Sequence, residues 1–515
     1  MSTAVTTPTP TVALVDAAAV RRELANLGCK ATVIGPEDGD DGANYKANIT
    51  SWNHDVPGKP TALIQPTTTA DVCASVRVVA KLGAKLVIAG GRHGKDCLET
   101  NAIVIDMSLM KAVEVNTAEN LVTVEGGCKL GDMDVACKPH ALACVTGTNP
   151  DTGVVGLSIL GGGGYLSRLH GMAVDNFVSA EVVLASGEAV TCFKDRSASA
   201  SASANDTGAD VTGAHADLLW GLQGAGSNFG IVTKLTMKAH PVDMVYGGLC
   251  VNIAPSTKRA RTVLGNWHQW ITNETLAPRS VYSAAVLPCG APVVPVVAVE
   301  LDMAVVPQDP KAKCSLKNIP SLKKPFGGRG LRGAFGSLAS IKLLKRRQYH
   351  TQMQTMLTPL QAPGHVYQAS CIVPDLTPEV IETLVDFARV RNPNSLAAVL
   401  VFPMNGGVTD ASTETTSYWG GGRQKDGFWI IIEGKFKPDK KGKNREAAVA
   451  WVKDLRNALI KFNVSDTAHT LGGNMESDIA ALTSIFGDNL QRLREVKAKY
   501  DPTNFWKCNR NVTPA

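Results

Sequence analysis

The 515-residue sequence lacks a long apolar run, a cysteine framework and a strong charge of either sign. No stretch reaches the roughly 18 apolar residues that cross a bilayer, so we expect no membrane contact. The twelve cysteines form no Cys-x-x-Cys pair, so we expect reduced core thiols and no bound metal. The net charge of +6 is small for this length and does not indicate nucleic-acid binding.

Length and composition indicate a globular protein with more than one core. Hydrophobic residues make up 44% and charged residues 19% of a chain that exceeds the size of a typical single core, so two domains are expected. Residues 1–11 contain neither a basic segment nor the apolar core of a secretory signal. We therefore expect an intracellular protein as the sequence is written, or a secreted one if a leader has been removed.

The most informative motif is an apolar run that ends in paired glycines beside a histidine. It reads Leu86–Ala89, then Gly90, Gly91, Arg92, His93 and Gly94. Paired glycines adopt positive φ and let another molecule approach the backbone, and the free N–H groups of such a loop bind phosphate. A cofactor loop with His93 at its mouth is one interpretation. A tight turn with a solvated histidine is the other.

A second glycine-rich stretch runs from Gly153 to Arg168 and contains four consecutive glycines, 161–164. Such a run does not form the interior of a stable helix or strand. Its flanks are apolar, so it is no flexible linker. Either a large flat ligand approaches this backbone, or the chain makes a tightly packed crossover here.

Both motifs resemble the flavin-binding loops of the berberine bridge enzyme-like branch of the vanillyl-alcohol oxidase/p-cresol methylhydroxylase superfamily. The resemblance continues through 169–187 and 220–233 and returns at 500–512. It is strong over residues 60–240 and 470–515 and weaker between them.

The resemblance implies an α+β, two-domain flavoprotein. Its bipartite FAD-binding domain would comprise residues 1–240 and 470–515. The substrate domain, residues 241–469, would be an antiparallel sheet covered by helices.

Local signals predict individual elements. Thr68, followed by Asp71, predicts a capped helix over residues 68–82. The other predicted elements are strands at 85–89, 102–107, 121–125, 293–306 and 428–433, and helices at 377–390, 444–461 and 478–499.

The resemblance implies that FAD is bonded through its 8α-methyl group to His93; a non-covalent contact is the alternative. The other cofactor contacts that it implies are Gly90, Gly91, Arg92, Gly94, Thr146, Gly147, Thr148, Gly153, Val154, Gly156, Gly161, Gly162, Gly163, Tyr165, Ile231, Val232, Asn509 and Asn511.

Some relatives carry a second flavin link, from a cysteine four residues before the glycine that corresponds to Gly153. Asn149 stands at that position, and the nearest thiol, Cys144, is nine residues before Gly153. A single histidyl link is therefore expected, with a displaced loop that brings Cys144 or Cys128 to the flavin as the alternative.

Oxygen use depends in this family on the residue after the same glycine, where valine admits dioxygen and leucine impedes it. Val154 stands there and indicates an oxidase. Val155 departs from the glycine usual in relatives, which bears on the same gate.

The catalytic base is the least defined part of the resemblance. Relatives use a tyrosine in an Asn-Tyr context; here Asn474 is retained and Met475 replaces the tyrosine. Glu433 follows three isoleucines, and desolvation there would raise its pKa toward that of a general base. A salt bridge with Lys435 is the alternative role for Glu433.

Tyr418 is a second catalytic candidate, with Trp419 and Glu414 beside it on a strand expected before Glu433. Aromatic residues there are as often core as substrate platform.

These features predict an FAD-dependent oxidase. It would move a hydride from a small alcohol, amine or secondary metabolite to flavin N5, and dioxygen would reoxidise the flavin to give hydrogen peroxide. Its expected partners are therefore a small-molecule substrate and dioxygen, and the oligomeric state stays open. The alternatives are a flavin-bound non-redox cyclase or isomerase, a carbohydrate oxidase, and a binding protein without turnover.

Overall fold

The computed structural model describes most of the chain. The described residues are 15–39, 42–55, 58–94, 96–194, 215–254, 256–289, 296–304, 316, 340–358, 361–389, 397–412, 414–418, 427–462, 464, 479–507 and 510–515.

Helices occur along the whole described chain. They are α1 (Ala17–Asn26), α2 (Ala43–Asn48), α3 (Thr69–Lys81), α4 (Leu130–Cys137), α5 (Val154–Ser158), α6 (Ser167–His170), α7 (Ala216–Ala225), α8 (Thr257–Ile271), α9 (Pro378–Arg389), α10 (Lys443–Ile460), α11 (Ile479–Phe486) and α12 (Asn489–Tyr500).

The strands of the N-terminal half are β1 (Thr32–Ile34), β2 (Ala62–Gln65), β3 (Leu86–Ala89), β4 (Ile103–Asp106), β5 (Val113–Asn116), β6 (Leu121–Glu125), β7 (Leu142–Cys144), β8 (Phe177–Val183), β9 (Ala189–Phe193) and β10 (Ile231–Pro241). Those that follow are β11 (Met244–Ala254), β12 (Val281–Cys289), β13 (Val296–Ala304), β14 (Ser340–Lys342), β15 (Lys345–Gln348), β16 (Val366–Val373), β17 (Ala397–Met404) and β18 (Gly427–Lys435).

The strands form three sheets. The first has the order β1-β2-β4-β3, with β4 parallel to both β2 and β3. The second has the order β5-β6-β10-β8-β9, with β7 also paired to β10. The third has the order β14-β11-β13-β12-β17-β18-β16, with β15 beside β11, and its paired strands are antiparallel. The α+β fold and the antiparallel C-terminal sheet are as predicted.

The C-terminal sheet buries its two faces differently. One face packs beneath α8, α9 and α10, through residues such as Cys371, Ile430 and Ile432. Alternate residues of the same strands point the other way, and Ile372 and Met404 join the core of the N-terminal half. A substrate domain covered by helices therefore turns its uncovered face toward the glycine-rich loops.

Two predicted helices show where local signals suffice and where they do not. Helix α3 begins after Thr68, whose Oγ1 accepts a 3.1 Å hydrogen bond from Asp71 N, and the predicted capping box is confirmed. The prediction of one helix over 478–499 is wrong, because Gly487 adopts φ +52° and separates α11 from α12.

The C-terminal segment returns to the N-terminal half through a buried lysine. The ammonium of Lys497 donates to the carbonyls of Asn228 and Trp506, both at 2.6 Å, and pairs with Asp501 at 2.7 Å. This return agrees with a bipartite FAD-binding domain. The boundary after residue 240 stays a prediction, and the one after residue 469 lies outside the described residues.

Arg168 joins the two halves of the fold. It lies on α6 in the glycine-rich stretch, is 1% exposed, and donates through Nε to Asn405 Oδ1 at 2.7 Å. Its Nη atoms donate to carbonyls of the substrate half, namely those of Ile271, Ala277, Pro278 and Val281.

We expect Arg168→Met to destabilise the protein strongly. Methionine fills similar space but leaves buried carbonyls without donors, and breaking a buried charged network costs about 3–5 kcal/mol. The melting temperature should fall by several degrees. Arg279→Met is the matched control, because Arg279 pairs with Glu274 and Asp410 at the surface, where a pair contributes about 1 kcal/mol or less. Equal melting temperatures for the two variants would contradict the assignment.

Candidate flavin and active site

The two glycine loops touch through their backbones. A Cβ atom on Gly91 would lie 2.1 Å from Gly153 N, and one on Gly153 would lie 2.6 Å from Gly91 N. No real Cβ fits at such distances, so glycine is required at both positions. The first loop follows β3 and the second caps α5, and their contact brings together the two motifs that the sequence singled out.

His93 lies in this junction and is 7% exposed. Its ring stacks on Trp52 with centroids 5.0 Å apart and an interplanar angle of 17°. Its Nδ1 is 3.5 Å from Thr152 Oγ1, and its Nε2 is 3.7 Å from Asp151 Oδ2. The solvated turn is therefore wrong, because the imidazole is buried with both edges facing the second loop.

Arg92 holds the loop rather than offering its side chain to a ligand. It adopts a left-handed φ of +56°, and its Nη2 donates a 2.6 Å hydrogen bond to the buried carboxylate of Asp106. Gln65 donates to the same oxygen at 2.8 Å. A pyrophosphate contact at Arg92 thus falls to its backbone. Gly94 has open space where its Cβ would be, so no protein contact requires glycine there.

The loop at residues 146–149 is the next segment of the candidate site. Thr146 Oγ1 is buried without a hydrogen-bond partner among the described residues. Thr148 Oγ1 accepts a 3.1 Å bond from Gln361, and the Gln361 carbonyl accepts from Asn149 at 3.3 Å and from Trp52 Nε1 at 2.9 Å. Gln361 therefore ties this loop to the Trp52–His93 stack. The Cβ of a residue at Gly147 would meet Leu157 at 2.7 Å.

The four-glycine run serves tight packing. Added Cβ atoms at Gly162, Gly163 and Gly164 would lie 2.7 Å from Leu157, 2.9 Å from Met172 and 2.3 Å from the Thr146 carbonyl. Gly161 has φ +119°. These contacts favour the packed crossover over close approach of a ligand. Tyr165, 1% exposed, packs edge-on to Tyr282 and Tyr349 in the same crossover region.

Val154 begins α5 and is fully buried, with its N–H bonded to the Cys128 carbonyl at 2.9 Å. Gly156, on the same helix, has open space at its Cβ position. Both candidate thiols have other partners: Cys128 Sγ donates to the Ala112 carbonyl at 3.3 Å, and the Cys144 thiol is hydrogen-bonded with that of Cys137. This placement supports a single histidyl link.

The remaining predicted cofactor residues come from β10 and the C-terminus. Ile231 and Val232 begin β10, and the Val232 carbonyl would lie 2.7 Å from a Cβ at Gly126, beside the first loop. The buried Oδ1 of Asn511 has no hydrogen-bond partner among the described residues. Asn509 lies outside them.

Glu433 lies on the uncovered face of the C-terminal sheet, opposite Gln368 of β16 and Ala398 of β17. It is 8% exposed, and Gln368 Nε2 donates to its Oε1. Burial raises the pKa of Glu433, against the opposing effects of the Lys435 charge and the Gln368 hydrogen bond. The expected desolvated carboxyl group is present, with a hydrogen-bond partner from the neighbouring strand.

Glu433 is connected to His93 through neighbouring side chains. Lys435 shares its face of β18, because residues two apart on a strand point the same way. The Lys435 ammonium is 5.9 Å from the Trp52 ring, which stacks on His93. The Lys435 end of β18 therefore lies beside the Trp52–His93 stack, and Glu433 is two residues away on the same face of that strand.

Tyr418 is placed differently from its prediction. No strand is present at 405–412 and 414–418; a 3-10 helix, 406–409, is followed by turns. Tyr418 is 4% exposed, its N–H bonds to the Gln223 carbonyl at 2.8 Å, and its backbone would clash with any Cβ at Gly224. We assign it to the core of the flavin half. Trp419, Asn474 and Met475 lie outside the described residues.

Four residues at the site were missed: Trp52, Asp151, Gln361 and Gln368. Asp151 was within reach of the sequence, because it stands in the second loop beside Gly153. The others arrive from distant segments and only strand register or loop packing shows their position.

Family comparisons agree with this geometry. Residues 60–192 match a model of an FAD binding domain, and residues 474–513 match one described as berberine and berberine like. The chain is an FAD-linked oxidoreductase with a berberine-like C-terminal segment.

Relatives of this chain are oxidoreductases with different substrates. An FAD-linked oxidoreductase of Dictyostelium discoideum is 26% identical over 91% of this chain and 92% of its own length. (R)-6-hydroxynicotine oxidase of Paenarthrobacter nicotinovorans is 30% identical over 46% of this chain and 48% of its own. The solved glucooligosaccharide oxidase of Acremonium strictum, which carries a 6-S-cysteinyl, 8α-N1-histidyl FAD, has a TM-score of 0.76 at 20% identity, covering 96% of this chain and 99% of that one.

The residues present fit FAD. Gly94 and Gly156 have open space where a Cβ would be, which leaves their backbone accessible, and the buried atoms His93 Nε2, Thr146 Oγ1 and Asn511 Oδ1 lack hydrogen-bond partners among the described residues. Within that part of the chain no helix has the length and apolarity of a membrane span, and no cluster of three metal-ligating side chains occurs.

Proposed function

We propose that this protein is an FAD-dependent oxidase that removes a hydride from a C–H bond of a small organic substrate and passes the electrons to dioxygen. The observation that carries the proposal is the buried Glu433–Gln368 pair, which stands two residues along β18 from Lys435, whose ammonium lies 5.9 Å from the Trp52 ring that stacks on His93. FAD, when bound, would supply a hydride acceptor that can pass two electrons on to dioxygen.

Glu433, Gln368 and His93 have separate roles in the proposed reaction. Glu433 accepts the proton of the substrate O–H or N–H next to the reacting C–H bond, and its raised pKa makes it a stronger base than an ordinary glutamate. Gln368 orients the carboxyl group from the next strand. His93 would hold the cofactor covalently, and an attached imidazole favours hydride acceptance by raising the reduction potential.

The products follow from the balance of the reaction. An alcohol with a hydrogen on its carbinol carbon becomes a carbonyl compound, and an amine becomes an imine. In each case dioxygen gains two electrons and two protons and becomes hydrogen peroxide. Val154, buried at the start of α5, supports the use of dioxygen.

A carbohydrate oxidase is the second candidate. Its support is the fold shared over nearly the whole chain with the glucooligosaccharide oxidase. A low-molecular-weight amine as the substrate is supported by the similarity to (R)-6-hydroxynicotine oxidase.

The test is a peroxide-release screen with glucose, xylose and chitin oligosaccharides, 6-hydroxynicotine, and a set of aromatic alcohols. We expect at least one class to release peroxide in air and to bleach the flavin absorbance anaerobically. Bleaching without peroxide in air would mean a dehydrogenase. A compound that the enzyme converts without any bleaching would favour the non-redox cyclase or isomerase.

A further inference from the structure

We propose that Asp151 is a positioning residue, which holds the Nε2 edge of His93 and so directs Nδ1 to the flavin. This inference rests on the proposed covalent link at His93. Asp151 Oδ2 lies 3.7 Å from Nε2, and that buried nitrogen has no hydrogen-bond partner among the described residues.

The groups that lie beside the two ring nitrogens of His93 decide which nitrogen reacts with the flavin. In a neutral imidazole one nitrogen carries the proton and the other carries the lone pair that forms a new bond. The Trp52 stack fixes the plane of the ring at 17° to the indole but does not choose between its two nitrogens. A carboxylate beside Nε2 keeps the proton there and leaves the lone pair on Nδ1, which lies 3.5 Å from the hydroxyl of Thr152.

Asp151 is held in place and kept ionised. Lys129 Nζ lies 2.5 Å from Asp151 Oδ1, and the backbone N–H of Asp151 donates to Asn149 Oδ1 at 3.1 Å. The contact with His93 and then the ion pair with Lys129 lower the pKa of Asp151 to about 2, against the effect of partial burial. A carboxyl group with such a pKa is a weak base, so its contribution is charge and orientation rather than proton removal.

The attachment reaction needs such a charge. Nδ1 bonds to the 8α carbon, and one methyl C–H bond breaks. The alkylated ring is positive until the Nε2 proton leaves, and Asp151 stabilises that positive charge. The two electrons released reduce the flavin, which also takes up the equivalent of the two protons. Dioxygen, the oxidant of the proposed function, then removes both electrons and both protons as hydrogen peroxide.

The experiment follows attachment itself rather than turnover. Full-length wild type, D151N and D151E are made flavin-free in riboflavin-starved cells and mixed with FAD in air. The flavin that stays with acid-precipitated protein is measured against time. We expect D151N to bind FAD but to attach it about 10- to 100-fold more slowly, the size of effect seen for partners that orient a ligating imidazole. D151E should recover part of the rate.

D386N is the matched control, because Asp386 is an exposed carboxylate on α9 that pairs with Arg261. It should attach FAD at the wild-type rate. A wild-type rate in D151N would overturn the inference and leave the link at His93 intact. Wild-type protein that releases all its flavin in acid would instead remove the proposed link itself.

The identity of the His93 nitrogen that bonds to the flavin gives a second test, which needs no variant. The flavin peptide released from wild type by proteolysis should carry its bond at His93 Nδ1, which NMR of the peptide distinguishes from Nε2. A bond at Nε2 would overturn the role assigned to Asp151.

Discussion

His93→Ala is expected to abolish covalent flavin retention. In the proposed attachment the His93 imidazole beside the Gly91–Gly153 junction is the nucleophile, whereas the thiols of Cys128 and Cys144 are hydrogen-bonded to the Ala112 carbonyl and to Cys137. Acid precipitation of wild type should leave a yellow pellet, whereas the variant should release its flavin to the supernatant. The measurement is the flavin absorbance of both fractions.

Two comparisons make this result specific. His140→Ala changes an exposed histidine and should leave the wild-type pellet coloured. The melting temperature of the His93 variant shows whether it still folds, and added FAD should bind without a covalent link. Colour retained in the pellet of folded His93→Ala would contradict the assignment and would indicate another attachment residue.

Glu433→Gln is expected to lower kcat by about 10²- to 10⁴-fold, the usual contribution of a general base. The amide keeps the shape of the carboxyl group and can still accept the hydrogen bond from Gln368, but it cannot take a proton. Flavin content should stay at the wild-type value. The rate of anaerobic flavin bleaching, with the compound that gives the most peroxide as substrate, measures the effect before dioxygen takes part.

The pH dependence of the same rate identifies the group. Because burial raises the pKa of Glu433, the deprotonated base is lost at a higher pH than for an ordinary glutamate as the solution is acidified. The bleaching rate of wild type should therefore rise with pH through a pKa above 4.5, and the variant should lack this step. Glu446→Gln, at an exposed position on α10, is the control. A Glu433→Gln rate within a few-fold of wild type would move the base elsewhere.

Short-range signals made much of the fold predictable. The capping box at Thr68 set the start of α3, and apolar runs punctuated by glycine and asparagine placed β3, β4 and β6 within one residue or two. The same kind of reasoning failed at Gly487, which lies inside the single helix predicted over 478–499, although its positive φ ends α11. Hydrophobic periodicity does not show whether a glycine continues or stops a helix.

The candidate site was only partly predictable because half of it depends on long-range pairing. His93, Gly91 and Gly153 stood out through residue type and spacing, and the structure brings them together. Gln368 faces Glu433 only because β16 and β18 pair in one particular register. The stack of Trp52 on His93 has no local signal at all.

The glycine run 161–164 shows that composition alone does not distinguish a ligand site from tight packing. Its composition indicates a flavin platform, with a packed crossover as the alternative, because both require residues without a Cβ. The contacts with Leu157, Met172 and the Thr146 carbonyl favour the crossover. Composition indicated that something lies close to this backbone, and only the tertiary structure shows that protein atoms do.

Mass spectrometry of the wild-type protein tests the central claim most directly. The claim predicts a denatured chain heavier than its sequence by one FAD less two hydrogen atoms, with the added mass on the proteolytic peptide that contains His93. An unmodified chain, or the mass on any other residue, would contradict it.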